Sequence, residues 1–355
     1  MRILITGGAG FVGGALARNF LREPGRNAVV ILDNLRRRGS EWNLIGLLEA
    51  GAQFVHGDVR NPADLEALEG TFDLLIETSA EPSVHAGMAG SPRYVLDTNL
   101  TGALNCLEFA RERCGGVVFL SSSRIYSLAP LRALPLVEKA ARLDFQEPVA
   151  SVPGATFAGI SEDFACDSPR SYYGASKLAA ELICQEYAEH AKLPVVINRC
   201  GVITGPGQFG KTDQGVFTLW VARHCSGRSL RYTGFGGRGL QVRDLLHPDD
   251  LGDLIELQIG SWSLVAGKTF NVGGGRMGAV SLREYTGICE EVTGRKITIE
   301  ADQETNPVDV PWYISDHQQV TDLLGWTPKR TPKQIVSEVH QWLRANEQAL
   351  AKFIV

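Results

Sequence analysis

The stretch ITGGAGFVGGALARNF, residues 5–20, decides the fold. It closes a short β-branched run, RILIT (2–6), and opens a helical one, with Gly7, Gly10 and Gly13 spaced three apart at the junction. Small residues there let the backbone approach a pyrophosphate, and the unpaired N–H groups and positive dipole end of the helix face it. A glycine triplet alone is a weak signal. Asp33 strengthens it, lying twenty residues beyond Gly13 at the end of the next apolar run, AVVIL (28–32), where a carboxylate accepts hydrogen bonds from adenine ribose hydroxyls. The same carboxylate repels a 2′-phosphate, so NAD is the expected cofactor. Arg36, Arg37 and Arg38 are the residue type that NADP binding uses, but they read here as a solvated loop.

Outward from this junction the pattern repeats. AQFVHGD (52–58), DLLIETSA (73–80), GVVFLSSS (116–123) and PVVINR (194–199) are further strand candidates, separated by helical stretches such as NLTGALNCLEFARER (99–113). Runs that are apolar on both faces and alternate with helices indicate βαβ units, hence an α/β, doubly wound parallel sheet of the Rossmann type. Asp58, after the third strand, is placed to reach the adenine amino group or to cap the helix beginning NPADLEAL (61–68). After residue 200 glycine-rich loops take over. They suggest a smaller interleaved C-terminal substrate domain, with 1–197 (and a returning 241–270) as the cofactor domain and 198–240 with 271–355 as the substrate domain. Between Tyr126 and Tyr173 lies a long Pro-, Gly- and Ala-rich insert, expected to be either a lid or an inert excursion.

Composition excludes several classes. With 44% hydrophobic and 21% charged residues among 355, the chain is neither disordered nor fibrous. A net charge of −5 argues against a nucleic-acid partner. Seven scattered cysteines without a C-x-x-C argue against a disulfide framework or a zinc site and for a reducing compartment. No apolar window is long enough for a membrane span, and the N-terminus reads as a strand and not a leader, so a cytoplasmic location is expected. His85 and His247 lack metal-ligand spacing, and no metal is expected.

The chemistry points to SYYGASK (171–177). Only Tyr173 and Lys177 stand four apart and share a helical face; Tyr172 does not. FLSSSRIY (119–126) supplies hydroxyls at the end of another strand. Together with Gly7 and Asp33 these segments resemble the extended short-chain dehydrogenase/reductase superfamily, specifically its nucleotide-sugar epimerases and dehydratases. In that superfamily the serine or threonine lies four positions before the tyrosine of this segment, which selects Ser122. Tyr173 would take a proton from a sugar hydroxyl as a phenolate. A free phenol, with a pKa of about 10, is a poor base at neutral pH, and the Lys177 ammonium and the nicotinamide charge favour the phenolate. Lys177 would also hold the nicotinamide ribose, and Ser122 would bond the reacting oxygen. The resemblance further implies Phe11, Val12, Asn34, Val59, Ser79 and Ala80 as cofactor neighbours.

The similarity continues through SEDFACDSPRSYYGASKLAAELICQEYA (161–188), INRCGVITGPGQFGKTDQGVF (197–217), GFGGRGLQVRDLLHPDDLGDLI (234–255) and FNVGGG (270–275). These look like the CDP-paratose 2-epimerase (CDP-tyvelose epimerase) family. The implied reaction is epimerisation at carbon 2 of a CDP-hexose through a transient keto sugar. On that analogy Arg243 meets the substrate pyrophosphate, its alternative being a buried partner for Asp244 or Asp250; Glu81, His85, Ser123, Arg124, Asn198, Gln208 and Gln214 line the sugar and nucleotide pocket. One departure stands out: where the family commonly has an arginine, this chain has Asn306. A UDP-sugar 4-epimerase or a non-catalytic NAD-binding sensor are the alternatives. A 4,6-dehydratase is disfavoured because such enzymes place Asp-Glu where this chain has Ser123 and Arg124. The resemblance also implies a homo-oligomer.

Overall fold

The computed structural model describes residues 1–146, 152–210 and 215–347. Alternate residues of β1 (Arg2–Thr6) face opposite ways, and both faces are apolar: Ile3 and Ile5 enter one buried cluster and Leu4 another. A strand of this kind must be covered on both sides. It is joined by β2 (Ala28–Asp33), β3 (Gln53–His56), β4 (Leu74–Glu77), β5 (Val117–Ser122), β6 (Val195–Cys200) and β7 (Thr269–Val272). They form a seven-stranded, wholly parallel sheet in the order β7-β6-β5-β4-β1-β2-β3. The six strands expected from the sequence are all present. The seventh comes from late in the chain and continues past residue 270, where the returning segment was expected to end.

The principal helices are α1 (Phe11–Leu21), α2 (Gly102–Arg113), α3 (Tyr172–His190), α4 (Val216–Ser226), α5 (Pro248–Gly260), α6 (Leu282–Thr293) and α7 (Pro332–Ala345). Leu16 and Phe20 of α1 and Leu251, Leu254 and Ile255 of α5 cover one face of the sheet; Cys106 and Ala110 of α2 and Ala180 and Cys184 of α3 cover the other. The strand registers put Thr6 level with Leu32 and Glu77, Glu77 with Phe119, and Ser122 with Cys200. Asp33, Glu77 and Ser122 therefore share the carboxyl edge. The strand order changes direction between β1 and β4, so a crevice opens along that edge.

Above it, Val202–Ile203, Val242–Leu246, Ala279–Ser281 and Trp312–Tyr313 make a small four-stranded sheet, and Leu230–Thr233 pairs with Ile299–Asp302. Helices α4, α6 and α7 close over these strands through Phe217, Trp220, Tyr285, Val336 and Val339. Helix α7 forms where the sequence dictates. Thr331 and Gln334 cap its start reciprocally, Pro332 occupies its first turn, and Ile335, Val336, Val339 and Leu343 make one buried stripe.

Residues 147–151 of the insert lie outside the described residues, and its described parts are neither a free lid nor an idle excursion. Leu136–Glu138 and Leu143–Phe145 form a hairpin, and Phe145 packs edge-on against Trp312 with ring centres 5.0 Å apart. Ile160 bridges Ser315, donating to the Ile314 carbonyl at 2.7 Å. Arg142 pairs with Glu284 at 2.6 Å, and Arg276 with Asp144 at 2.8 Å. The segment is thus a clasp that locks the C-terminal lobe onto the sheet. Replacing the fully buried Phe145 by alanine leaves a cavity against Trp312 and is expected to cost about 3 to 5 kcal/mol in denaturant unfolding while NAD content stays unchanged.

Candidate active site

The glycine turn is built by close approach. Gly7 adopts φ +66°, and a Cβ on Gly13 would lie 2.4 Å from the Gly7 carbonyl oxygen. Only bare backbone lets α1 start there, with Gly10 at its N-cap and no side chain capping its N–H groups. Asp33 locks the turn: its oxygens accept from the N–H groups of Ala9 at 3.0 Å and Leu35 at 2.8 Å. With the Gly10 N–H also directed at the carboxylate, lone-pair capacity still remains for a ribose hydroxyl. Burial pushes the Asp33 carboxyl upward, against these hydrogen bonds. The turn's shape and uncapped helix end fit a dinucleotide pyrophosphate.

The neighbouring residues are placed as follows. Phe11, Val12 and Ala80 line the cavity described below, together with Thr78, which sequence reasoning passed over. Ser79 is buried directly beneath Gly7, and Val59 is buried against Gly102. Arg36 stacks on Tyr94 at 4.3 Å. Asp58 accepts from Asn34 at 2.9 Å and twice from the Arg60 guanidinium at 2.9 and 2.6 Å, and the Arg60 hydrogen bonds hold its carboxyl well below the usual carboxylate range. It is not the cap of the following helix, Pro62–Glu66; Asn61 holds that position, because the Asp58 carboxylate is turned to Arg60.

A cavity of about 840 Å³ runs from the sheet edge into the smaller lobe. At the sheet end it is lined by Ser122, Tyr173 and Lys177. Ser171 caps α3 by accepting from the Gly174 N–H at 3.1 Å, which fixes the first turn that carries Tyr173. A Cβ on Gly174 would fall 2.0 Å from the Arg124 carbonyl, so the helix start is pressed against the turn after β5. Tyr173 is 9% exposed and Tyr172 43%, as their positions on the helix require. The Ser122 hydroxyl accepts from the Arg124 N–H at 3.1 Å. The Lys177 ammonium donates to the Leu120 carbonyl at 2.9 Å and lies 3.5 Å from the Glu77 carboxylate. Glu77 closes an otherwise apolar strand, and its carboxylate, like Thr78 beside it, was a signal in DLLIETSA left unused.

Arg243, on the Val242–Leu246 strand of the smaller lobe, also lines the cavity and is almost fully buried; it donates to Asp309 at 2.6 Å and to the Val242 and Val310 carbonyls at 2.7 Å. Burial pulls its pKa down to about 10. Its carboxylate partner is thus Asp309, and neither Asp244 nor Asp250: Asp244 accepts from the Gly275 and Ser315 N–H groups, and Asp250 pairs with Arg330. Arg124 approaches Asp309 at 3.7 Å from the other side. Ser123, His85 and Asn306 also line the cavity.

Three expected lining residues stand elsewhere or are otherwise engaged. Asn198 does not reach the cavity; its amide pairs head-to-tail with Gln258 in the core, at 3.0 and 2.8 Å, because β6 turns that side chain toward α5. Glu81 turns back to accept from the Ser83 N–H at 3.1 Å. Gln208 lines the cavity, but its amide oxygen accepts from Thr204 and Thr218 and its nitrogen donates to the Ile203 carbonyl. Gln214 lies outside the described residues. His247 caps α5, accepting from the Asp249 N–H at 3.1 Å. Among the described residues no cluster of His, Cys, Asp or Glu is placed to hold a metal ion, and no helix is long and apolar enough to cross a membrane.

A doubly wound sheet, a glycine turn under a helix N-terminus and a tyrosine–lysine pair in the adjoining cavity define a dinucleotide-dependent α/β enzyme. The chain belongs to the NAD dependent epimerase/dehydratase family, which it matches over residues 3–273, and its cofactor is NAD. It is 29% identical to the CDP-paratose 2-epimerase of Salmonella typhi, over 96% of this chain and 99% of that protein. It is 25% identical to the dTDP-glucose 4,6-dehydratase of Salmonella typhimurium, over 98% and 94%. Among solved structures, Pal from Bacillus thuringiensis superposes with a TM-score of 0.80 at 25% identity, covering 97% of this chain and 99% of that one. The UDP-glucose 4-epimerase of Thermotoga maritima shares the fold, with a TM-score of 0.77 at 21% identity, over 98% and 100%.

Proposed function

We propose that the protein epimerises a nucleoside-diphosphate hexose, at carbon 2 of a CDP-linked sugar. The observation that carries this reading is one continuous cavity lined both by Ser122, Tyr173 and Lys177 and by Arg124 and Arg243. A sugar hydroxyl and a diphosphate belonging to one molecule then each find a partner. Gly7, Gly10, Gly13, Phe11, Val12 and Asp33 would hold the cofactor, and bound NAD supplies a reversible hydride acceptor at the reacting carbon. Tyr173 removes the hydroxyl proton and later returns it. Lys177 supports the phenolate by its charge, and Ser122 holds the reacting oxygen in line. The keto sugar turns between the two proton transfers, so the smaller lobe must grip the nucleotide and leave the ring free.

Near full-length similarity to a CDP-paratose 2-epimerase supports the choice of nucleotide and carbon. Ser123 and Arg124, which follow Ser122, are neutral and cationic, and neither supplies the carboxyl acid and base that a dehydration needs. Asn306 brings no cation to the cavity, whereas Arg124 stands beside Arg243 and can take the second phosphate contact. The test is a panel of CDP-, UDP-, GDP- and dTDP-hexoses followed by NMR of the sugar ring. Inversion at carbon 2 of a CDP-hexose is the expected result. Inversion at carbon 4 of a UDP-sugar sinks the assignment of carbon and base, and no turnover by NAD-loaded protein sinks catalysis itself.

A further inference from the structure

Glu77 is a buried charge that the reaction so far leaves without a role. It ends β4, its side chain is 3% exposed, and neither of its oxygens accepts a hydrogen bond at normal distance among the described residues. A carboxylate in such a place is costly unless another charge compensates it. The compensating group is Lys177, 3.5 Å away and equally buried. Lys177 is thereby held by one hydrogen bond, to the Leu120 carbonyl, and by the charge of Glu77, and it lies over the Phe119 ring at 4.7 Å. An ammonium has three N–H bonds, so the one given to Leu120 leaves others for Glu77 and the cavity to attract.

We propose that Glu77 is a positioning residue of the reaction: it fixes the Lys177 ammonium at the strand ends, partly cancels its charge, and so sets the pH at which the Tyr173 phenolate forms. The inference rests on Tyr173 being the acid/base. A lone ammonium four residues along the helix would favour the phenolate strongly; a carboxylate behind it weakens that field and moves phenolate formation to higher pH. Glu77 thus opposes the activation that Lys177 supplies. Burial pushes the Glu77 carboxyl up toward its neutral form, and the Lys177 charge opposes this.

The other groups facing Glu77 do not carry the effect. From α3 there is Cys184 and from α2 Cys106; burial drives both thiols up, and they stay neutral. The Ser79 N–H approaches from the end of β4, and β1 offers only the Thr6 hydroxyl. Glu181 of α3 is engaged elsewhere, with the Arg199 guanidinium at 2.9 Å and the Ser121 hydroxyl.

The experiment is a tyrosinate titration by ultraviolet absorbance on NAD-loaded protein, with the Tyr173→Phe curve subtracted to isolate Tyr173. In Glu77→Gln the midpoint is expected to fall by about one pH unit, tenfold in proton concentration. Glu77→Met, neutral and free of any need for a partner, gives the same fall. A midpoint that stays put or rises in either folded, NAD-loaded variant overturns the proposal. The titration uses no sugar nucleotide, so a wrong substrate assignment leaves it intact. Absence of any Tyr173-dependent signal in the unsubstituted protein overturns the acid/base reading and this inference together, whereas a signal indifferent to Glu77 overturns the inference alone.

Discussion

Tyr173→Phe is expected to lower turnover by about a thousandfold while the protein keeps its fold and its NAD, since a positioned acid/base contributes ~10² to 10⁴ in rate. The change removes one oxygen. Phenylalanine fills the same volume on the first turn of α3, whose start is fixed by the Ser171 hydroxyl cap and by the contact of Gly174 with the Arg124 carbonyl. Neither depends on the phenol. Lys177 also keeps its hold on the Leu120 carbonyl, so the cofactor side of the cavity is unaltered. The check is turnover of the sugar nucleotide that the panel identifies, alongside NAD content of the purified protein. A variant that binds NAD and turns over at the original rate ends the assignment of Tyr173. Tyr172→Phe serves as the internal control and should be silent, because that ring is 43% exposed.

Gly13→Val is expected to strip the protein of cofactor, with NAD occupancy falling at least tenfold. The added Cβ would meet the Gly7 carbonyl oxygen at 2.4 Å, the Thr78 hydroxyl at 2.7 Å and Gly8 Cα at 2.9 Å, and two of these three are backbone. Backbone cannot swing aside as a side chain does. The start of α1 would have to withdraw from the turn, and the N–H groups that face the pyrophosphate would leave with it. Gly14→Ala is the matched control: its Cβ finds nothing nearer than 3.5 Å, in ordinary contact. Alanine is also the better helix former, so this variant should retain NAD and unfold no earlier than the parent. Equal NAD occupancy in both variants would remove the glycine turn from the cofactor site.

The halves of the molecule differ in how far their sequence could be read. Strands β1 to β6 are short apolar runs bounded by helices, and their pattern is local, so AVVIL or GVVFLSSS announce themselves without knowledge of their neighbours. The glycine turn, Asp33 and the Tyr173–Lys177 pair are likewise relations over a few residues or one βαβ unit. What escaped notice depends on partners far along the chain. The insert could not be recognised as a clasp because Phe145 is completed by Trp312, and Ile160 by Ser315. For Arg243, expected at the substrate pyrophosphate, the alternative carboxylate partners considered were its near neighbours Asp244 and Asp250, whereas Asp309 holds it. Asn198 carried a polar side chain on a strand whose edge is functional, yet Gln258 satisfies it inside the core. In each case the residue type was informative, and the choice of partner was made by tertiary packing.

The clasp bears on how the chain comes off the ribosome. The hairpin around Phe145 is synthesised early, but its apolar underside has no cover until Trp312 and Ile314 emerge, long after β6 has been made. During that interval an aromatic face and two unpaired strand edges stand in solvent, the combination that draws nascent chains into aggregation or onto chaperones. The first six strands can assemble vectorially, each on a strand already made, whereas the clasp and β7 wait for the last third of the message. Synthesis that stalls after β6 would therefore leave a nearly finished nucleotide fold bearing a sticky flap, an easy mark for cellular proteases.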